Sequence, residues 1–191
     1  MLERFKVPEQ DRVYVAVERI RAATEGILRH SGVPADEAVS SADVLIKNDL
    51  RGVESHGVSN GLRRYAAEYG SNDLNPTPKF KIERETKTTM TVDADGALGI
   101  HVGPWAMQVA IDKAKEFGMA AVAVKNSGHL AGCGYYAMMA AEQGMIGHCM
   151  TAGGANQTVP TFGSKPVMGT NPIAWAAPAR NMPPFLFDVA T

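Results

Sequence analysis

Apolar residues recur near helical spacing across residues 10–31, where Val13, Val17, Ile20, Ile27 and Leu28 line one side and Gly32 follows as a stop. Pro34 opens a second helix, whose electropositive N-terminus suits Asp36 and Glu37. The apolar stripe of this helix is Val39, Ala42, Ile46 and Leu50, and Arg51 and Gly52 end it. A polar connection, Val53–Gly57, leads to a third helix over 59–69, and residues 70–78, rich in Ser, Asn, Asp and Pro, form a loop. The period then changes to two. Phe80–Arg84 and Thr88–Asp93 alternate as half-buried strands, with Phe80, Ile82, Met90 and Val92 on the apolar faces. Residues 101–117 return to helical spacing, with Pro104 in the first turn and Gly118 at the end. Met119–Val124 is apolar without alternation, the pattern of a strand covered on both faces. A helix over 134–143 and a second apolar run, Met145–Met150, suggest a β-α-β unit, and Ile173–Ala177 and Phe185–Val189 read as further strands. The chain thus divides into a helical segment over 1–75 and an α/β domain over 76–191.

Composition narrows the function classes. Of 191 residues 45% are hydrophobic and 20% charged, a globular balance that argues against intrinsic disorder. A net charge of −1 argues against a nucleic-acid binder working by bulk positive charge. No apolar run is long enough to span a membrane, and the charged start Met1–Arg12 lacks a signal-peptide core. Cys133 and Cys149 lie outside any CxxC motif, which suggests a reducing cytoplasm. Residues 1–95 hold 14 Lys/Arg and 16 Asp/Glu, whereas residues 96–191 hold five and four. A half-chain so poor in charge is a buried sheet, or is covered by a second subunit, a ligand or further chain. The buried-type run Phe185–Thr191 ends without a polar tail, which suggests a truncated chain.

Five stretches could carry chemistry. Ser55-His56-Gly57 lies between two helices, where a histidine is placed for acid–base work; the other reading is a capping turn with His56 at the surface. Val53–Gly57 misses the G-x-S-x-G elbow of a Ser/His hydrolase, because Val53 replaces the first glycine and a helix precedes it. His129, in Asn126-Ser127-Gly128-His129, follows an apolar strand, where open α/β sheets bind ligands. Gly132–Ala137 matches G-x-G-x-x-A, but it begins several residues past its strand and the stretch Cys149–Val159 holds no acid, so a Rossmann site is not expected. Gly169-Thr170-Asn171-Pro172 is a turn able to cradle an anion. Asp188 is the lone acid of an apolar run, where a carboxylate needs a partner such as a histidine. No metal-ligand spacing is present, so no metal is expected.

Together, ADVLIKNDLRGVESHGV, VAVKNSGHLAG, PTFGSKPVMGTNPIAWAAP and FLFDVAT closely resemble, in this order, the type-2 malate/L-lactate dehydrogenase family, with its sulfolactate and ureidoglycolate dehydrogenases. The resemblance covers nearly the whole chain and the first half to three-fifths of a typical member. It implies a helical N-terminal segment followed by a non-Rossmann mixed α/β cofactor-binding domain, the C-terminal part of the family fold missing. It also implies a homodimer and an NAD- or NADP-dependent oxidoreductase acting on a small 2-hydroxy or 2-oxo acid. His56 then resembles the acid/base, Ser55 and Asp188 its relay partners, and His129 a histidine that some members use as proton acceptor. The resemblance further implies cofactor contacts at His129, Leu130, Ala131, Gly132, Thr170, Asn171, Pro172, Val189 and Ala190. Many members carry an Arg carboxylate clamp four residues after the SHG histidine. That position here is Asn60, so Arg63, Arg64 or Tyr65 is expected to meet the substrate. An Asn-Ser-Ser segment of the family appears as Ala152-Gly153-Gly154. Two alternatives stand beside this reading: a catalytically incompetent member that keeps only its dimer surface, and a hydrolase built on Ser55 and His56. An Asp188 partnership with Ser55 or His56 is expected, directly or through one water.

Overall fold

The computed structural model describes residues 8–154 and 156–190; Met1–Val7, Ala155 and Thr191, including parts of the charged N-terminal stretch and of the Phe185–Thr191 run, lie outside the described residues. The element order is α1 (Val17–His30), α2 (Ala35–Leu50), a 3₁₀ turn (Glu54–His56), α3 (Val58–Gly70), β1 (Lys81–Glu85), β2 (Thr89–Asp93), α4 (Gly99–Phe117), β3 (Ala121–Lys125), α5 (Cys133–Ala141), β4 (Gly147–Met150), β5 (Ile173–Ala177) and β6 (Phe185–Val189). The molecule is mixed α/β. Among the described residues no helix is long and apolar enough to cross a membrane.

Several expectations change. The first helix starts at Val17 instead of residue 10, and Val13, Tyr14 and Val15 are exposed. β-branched and aromatic residues are weak helix formers, and here no core holds them. In α2 the buried face is Ala38, Ser41, Ala42, Leu45 and Ile46, while Val39 and Leu50 are exposed. Ile82 of β1 is also exposed, and Phe80 packs on His101 and Trp105. α4 begins two residues before its expected start because Ile100, His101 and Val102 are buried, so Pro104 lies past the first turn. β3 is an edge strand with Ala121 and Ala123 exposed, not a strand covered on both faces.

The expected β3-α5-β4 unit does not form. β1, β2 and β3 make one sheet, in which β2 and β3 run parallel with Met90 opposite Val122, so the crossover helix is α4. β4, β5 and β6 make a second, antiparallel sheet, with Cys149 opposite Ala174 and Ala174 opposite Asp188. Helix α5 packs on that sheet through Cys133, Ala137, Met138 and Ala141 against Ala174 and Ala176. Small residues permit this close approach: a methyl on Gly147 would overlap the Ala137 carbonyl. The other side of α5 presents Tyr135 and Tyr136 to a cluster with Leu28, Leu45, Tyr65, Leu98 and Ile100. The three N-terminal helices and the α/β part therefore share one core. Asp43 of α2 reinforces it, accepting from Arg21 of α1 at 2.9 Å and from the Tyr135 hydroxyl at 2.9 Å.

His101 is buried against the Phe80 ring, centroids 5.8 Å apart, and among the described residues its Nδ1 has no hydrogen-bond partner. Burial disfavours the charged ring and holds its pKa below the ordinary 6.5. As pH falls below that value the unfolded chain binds the proton first, so folding stability is lost. His101→Leu is expected to keep stability at pH 7 within about 1 kcal/mol and to lose less of it at about pH 5, as measured by urea denaturation.

Candidate active site

The last turn of α2 places the Ser55-His56-Gly57 turn. The buried Asn48 amide donates to the His56 carbonyl at 3.1 Å. The Asp49 Oδ2 accepts from the Val58 backbone N–H at 2.9 Å, capping α3 from a neighbouring helix. Burial pushes the Asp49 carboxyl up, and the Val58 N–H works against that rise. A methyl on Gly57 would overlap the Asp49 carboxylate, so glycine is required where the chain passes it. Ser55 therefore does not cap α3. Ser55 Oγ instead lies 2.9 Å from His56 Nδ1. Asn60 donates to the Ser55 carbonyl at 2.6 Å and closes the turn.

A second loop brings His129 to the same place. Asn126 and Ala131 are held at φ of 53° and 58°, conformations an L-residue keeps only where its surroundings over-determine them. Gly128 N donates to Ala97 O at 2.8 Å. Gly99 starts α4 directly beneath this loop, and a Cβ there would sit 2.6 Å from the carbonyl oxygens of Gly128 and His129. His129 Nδ1 lies 2.6 Å from the Tyr65 hydroxyl and accepts from the Ala131 N–H at 3.2 Å. The His56 and His129 rings stack, with centroids 5.6 Å apart and planes within 15°. Part of the His129 side chain is exposed, and the buried Tyr65 ring lies 6.0 Å from it. Its partial burial comes first, and then the charges of Arg64 and His56, in holding its pKa down to about 4.

The two glycines of the dinucleotide-like match are occupied from within the chain. A Cβ on Gly132 would meet the Asn48 amide at 2.9 Å, and one on Gly134 would meet Asp188 Oδ2 at 2.7 Å. Asp188 accepts from the Gly134 N–H at 2.7 Å, at the start of α5. Among the described residues no direct hydrogen bond joins Asp188 to Ser55 or His56. A cleft of about 290 Å³ opens beside Asp188, lined also by Asn48, Arg51, Val53, Met138 and Leu186.

The remaining candidates spread along these elements. Arg63 and Arg64 are exposed on α3, with the Arg64 guanidinium 5.0 Å from the Tyr65 ring centre. Tyr65 is fully buried, so it reaches the site only through His129. The Leu130 carbonyl is taken by the Tyr136 hydroxyl at 2.8 Å. Thr170 O accepts from Gly153 N at 2.8 Å and Pro172 O from Thr151 N at 3.2 Å, so the Thr170–Pro172 turn lies against Ala152–Gly154. Val189 is exposed in β6, opposite Ile173, and Ala190 follows it.

A family model described as malate/L-lactate dehydrogenase matches residues 15–191. The chain belongs to this family. It is 43% identical over 183 residues to malate dehydrogenase of Pyrococcus horikoshii, covering 96% of this chain and 50% of that protein. The solved structure of the Pyrococcus horikoshii OT3 malate dehydrogenase superposes with a TM-score of 0.92 over all of this chain and 54% of that one, at 43% identity. L-sulfolactate dehydrogenase of Methanocaldococcus jannaschii is 39% identical over 86% of this chain and 47% of its own length. Ureidoglycolate dehydrogenase (NAD(+)) of Escherichia coli O157:H7 is 31% identical over 93% and 50%. The chain spans about half the length of these curated relatives.

Reading residues in sequence order misses Asn48 and Asp49. One signal was available: an acid in the last turn of a helix opposes the helix dipole, so Asp49 there needs a partner elsewhere. Gly57→Ala is expected to lower stability by about 2 kcal/mol or more in thermal denaturation, because the Asp49 carboxylate must leave its place on α3.

Proposed function

We propose that the intact protein is an NAD(P)-dependent oxidoreductase that transfers a hydride between nicotinamide and C2 of a small 2-hydroxy or 2-oxo acid. The observation that carries this reading is the His56–His129 stack, two imidazoles from separate loops held face to face. The relatives' names support it: malate and sulfolactate are 2-hydroxy acids, and the ureidoglycolate enzyme is named with NAD(+).

The residues present fit a nicotinamide. The cleft beside Asp188 combines apolar Val53, Met138 and Leu186, suited to a flat ring, with the Asn48 amide, the Asp188 carboxylate and Arg51, suited to a carboxamide and an anionic linker. No Rossmann unit is needed in this reading, because Asn48 and Asp188 already fill the space at Gly132 and Gly134. The backbone of His129–Gly132, Thr170–Pro172 and Val189–Ala190 completes the cofactor cradle. When bound, the nicotinamide supplies or accepts the hydride.

His56 donates a proton to the substrate oxygen in reduction and takes it back in oxidation. Ser55 Oγ, on His56 Nδ1, orients the ring so that Nε2 meets the substrate. Asp188 acts at one remove, through the α5 terminus. Arg64, whose charge reaches His129, clamps the substrate carboxylate, with Arg63 beside it on the helix and Asn60 bracing the turn. The Ser55–His56 contact also invites a hydrolase reading. In a Ser-His-Asp triad, however, the serine meets Nε2 and the acid Nδ1. Here Ser55 lies on Nδ1 and Asp188 on Gly134. A homodimer belongs to the same proposal, since Ile173, Trp175, Phe185, Phe187 and Val189 leave an apolar sheet face exposed; sedimentation of the intact protein tests it, and a monomer at high concentration overturns it.

With NADH or NADPH and a panel of 2-oxo acids, the intact protein is expected to turn over. His56→Ala should lower kcat about 10²-fold or more with the fold retained, and a near-normal kcat overturns the role of His56. Arg64→Ala should raise KM about tenfold or more with a smaller change in kcat.

A further inference from the structure

His129 stands beside His56 in the site, and the hydrogen bonds around it settle which of its nitrogens holds a proton. A backbone N–H can only donate. The Ala131 N–H points at His129 Nδ1 from 3.2 Å, so Nδ1 is a bare acceptor. The Tyr65 hydroxyl, 2.6 Å from the same atom, must then donate as well. In the neutral ring the proton is left on Nε2. Resting on the proposed reaction for its catalytic meaning, the geometry points to Tyr65 as a positioning residue that, together with the Ala131 N–H, holds His129 in the neutral Nε2–H form. His129 thereby offers the substrate oxygen a hydrogen-bond donor and leaves proton transfer to His56.

The surroundings agree. Tyr65 is fully buried, and burial lifts its hydroxyl above the ordinary pKa of 10, so it keeps the proton it donates. The charged and titratable groups facing His129 are His56 from the 3₁₀ turn and Arg64 and Tyr65 from α3, with Glu68 tied to Arg64 at 3.6 Å. With Arg64 and a stacked His56 so near, a second positive charge on His129 is disfavoured. His129 is therefore the member of the stack held neutral. A neutral imidazole held as a donor beside a separate acid/base is an established catalytic arrangement.

The test has two arms. In the first, ring-nitrogen NMR of the ¹⁵N-histidine-labelled intact protein, with the His129 signals identified by His129→Gln, is expected to show a bare Nδ1 and a protonated Nε2 at neutral pH. Tyr65→Phe, which keeps the ring packing, is expected to raise the His129 titration by about one pH unit, because a donor that favours the neutral ring is gone. A proton on Nδ1 in the wild type, or an unmoved titration in Tyr65→Phe, overturns the proposal. This arm holds whether or not the protein reduces 2-oxo acids, so a failure of the function reading stays separate. In the second arm, His129→Gln, whose amide N–H can replace Nε2–H, should retain at least tenfold more kcat/KM than His129→Asn. Equal loss in both variants marks His129 as a base and overturns its role as a donor.

Discussion

The side-chain amide of Asn48 is buried at the end of α2, between the two loops that form the site. It donates to the His56 carbonyl on one side, and on the other it occupies the space beside Gly132. A buried amide left without partners costs about 1–3 kcal/mol, so the two loops cannot drift apart without exposing or orphaning it. The spacing of the His56 and His129 rings, and all chemistry that depends on it, is set by this contact and by the Asp49 cap next to it. The site thus belongs to the packing of α2 against the loops and not to either loop alone.

Much of this was legible in the sequence. Apolar spacing located α2, α3, β2 and β5 within a few residues, because each buries one stripe or one face, whereas β6, an apolar run of buried type, is exposed along its whole length. The SHG turn and His129 stood out as polar groups next to regular elements. Pairing did not. Met119–Val124 and Met145–Met150 look alike as apolar runs, yet one joins β2 in parallel and the other joins β5 antiparallel, a choice made by contacts distant in sequence. Ser55 and His56 are neighbours in sequence, and a tight 3₁₀ turn brings Oγ onto Nδ1, a contact that residue types alone do not signal. A carboxylate in an apolar run is costly unless paired, and a histidine is the partner the sequence suggests for Asp188. A backbone N–H at a helix terminus serves the same need, and no residue type signals it.

Asp43 shows how charge is distributed in the same spirit. Its carboxylate meets Arg21, Lys47 and Tyr135, and these contacts hold it below the ordinary carboxylate pKa in spite of its burial. Three helices are joined at one side chain, and α5 is thereby held in register with α1 and α2 while its far side packs on the second sheet.

Three glycines have their missing side chain replaced by someone else's polar group: Gly57 by Asp49, Gly132 by Asn48 and Gly134 by Asp188. Each pair is a lock in which one residue's absence of atoms is the other's place. Evolution cannot enlarge one member without moving or shrinking the other, so in an alignment of the family these positions should vary as pairs, and the glycines should be lost only in lineages where the opposing acid or amide has gone as well.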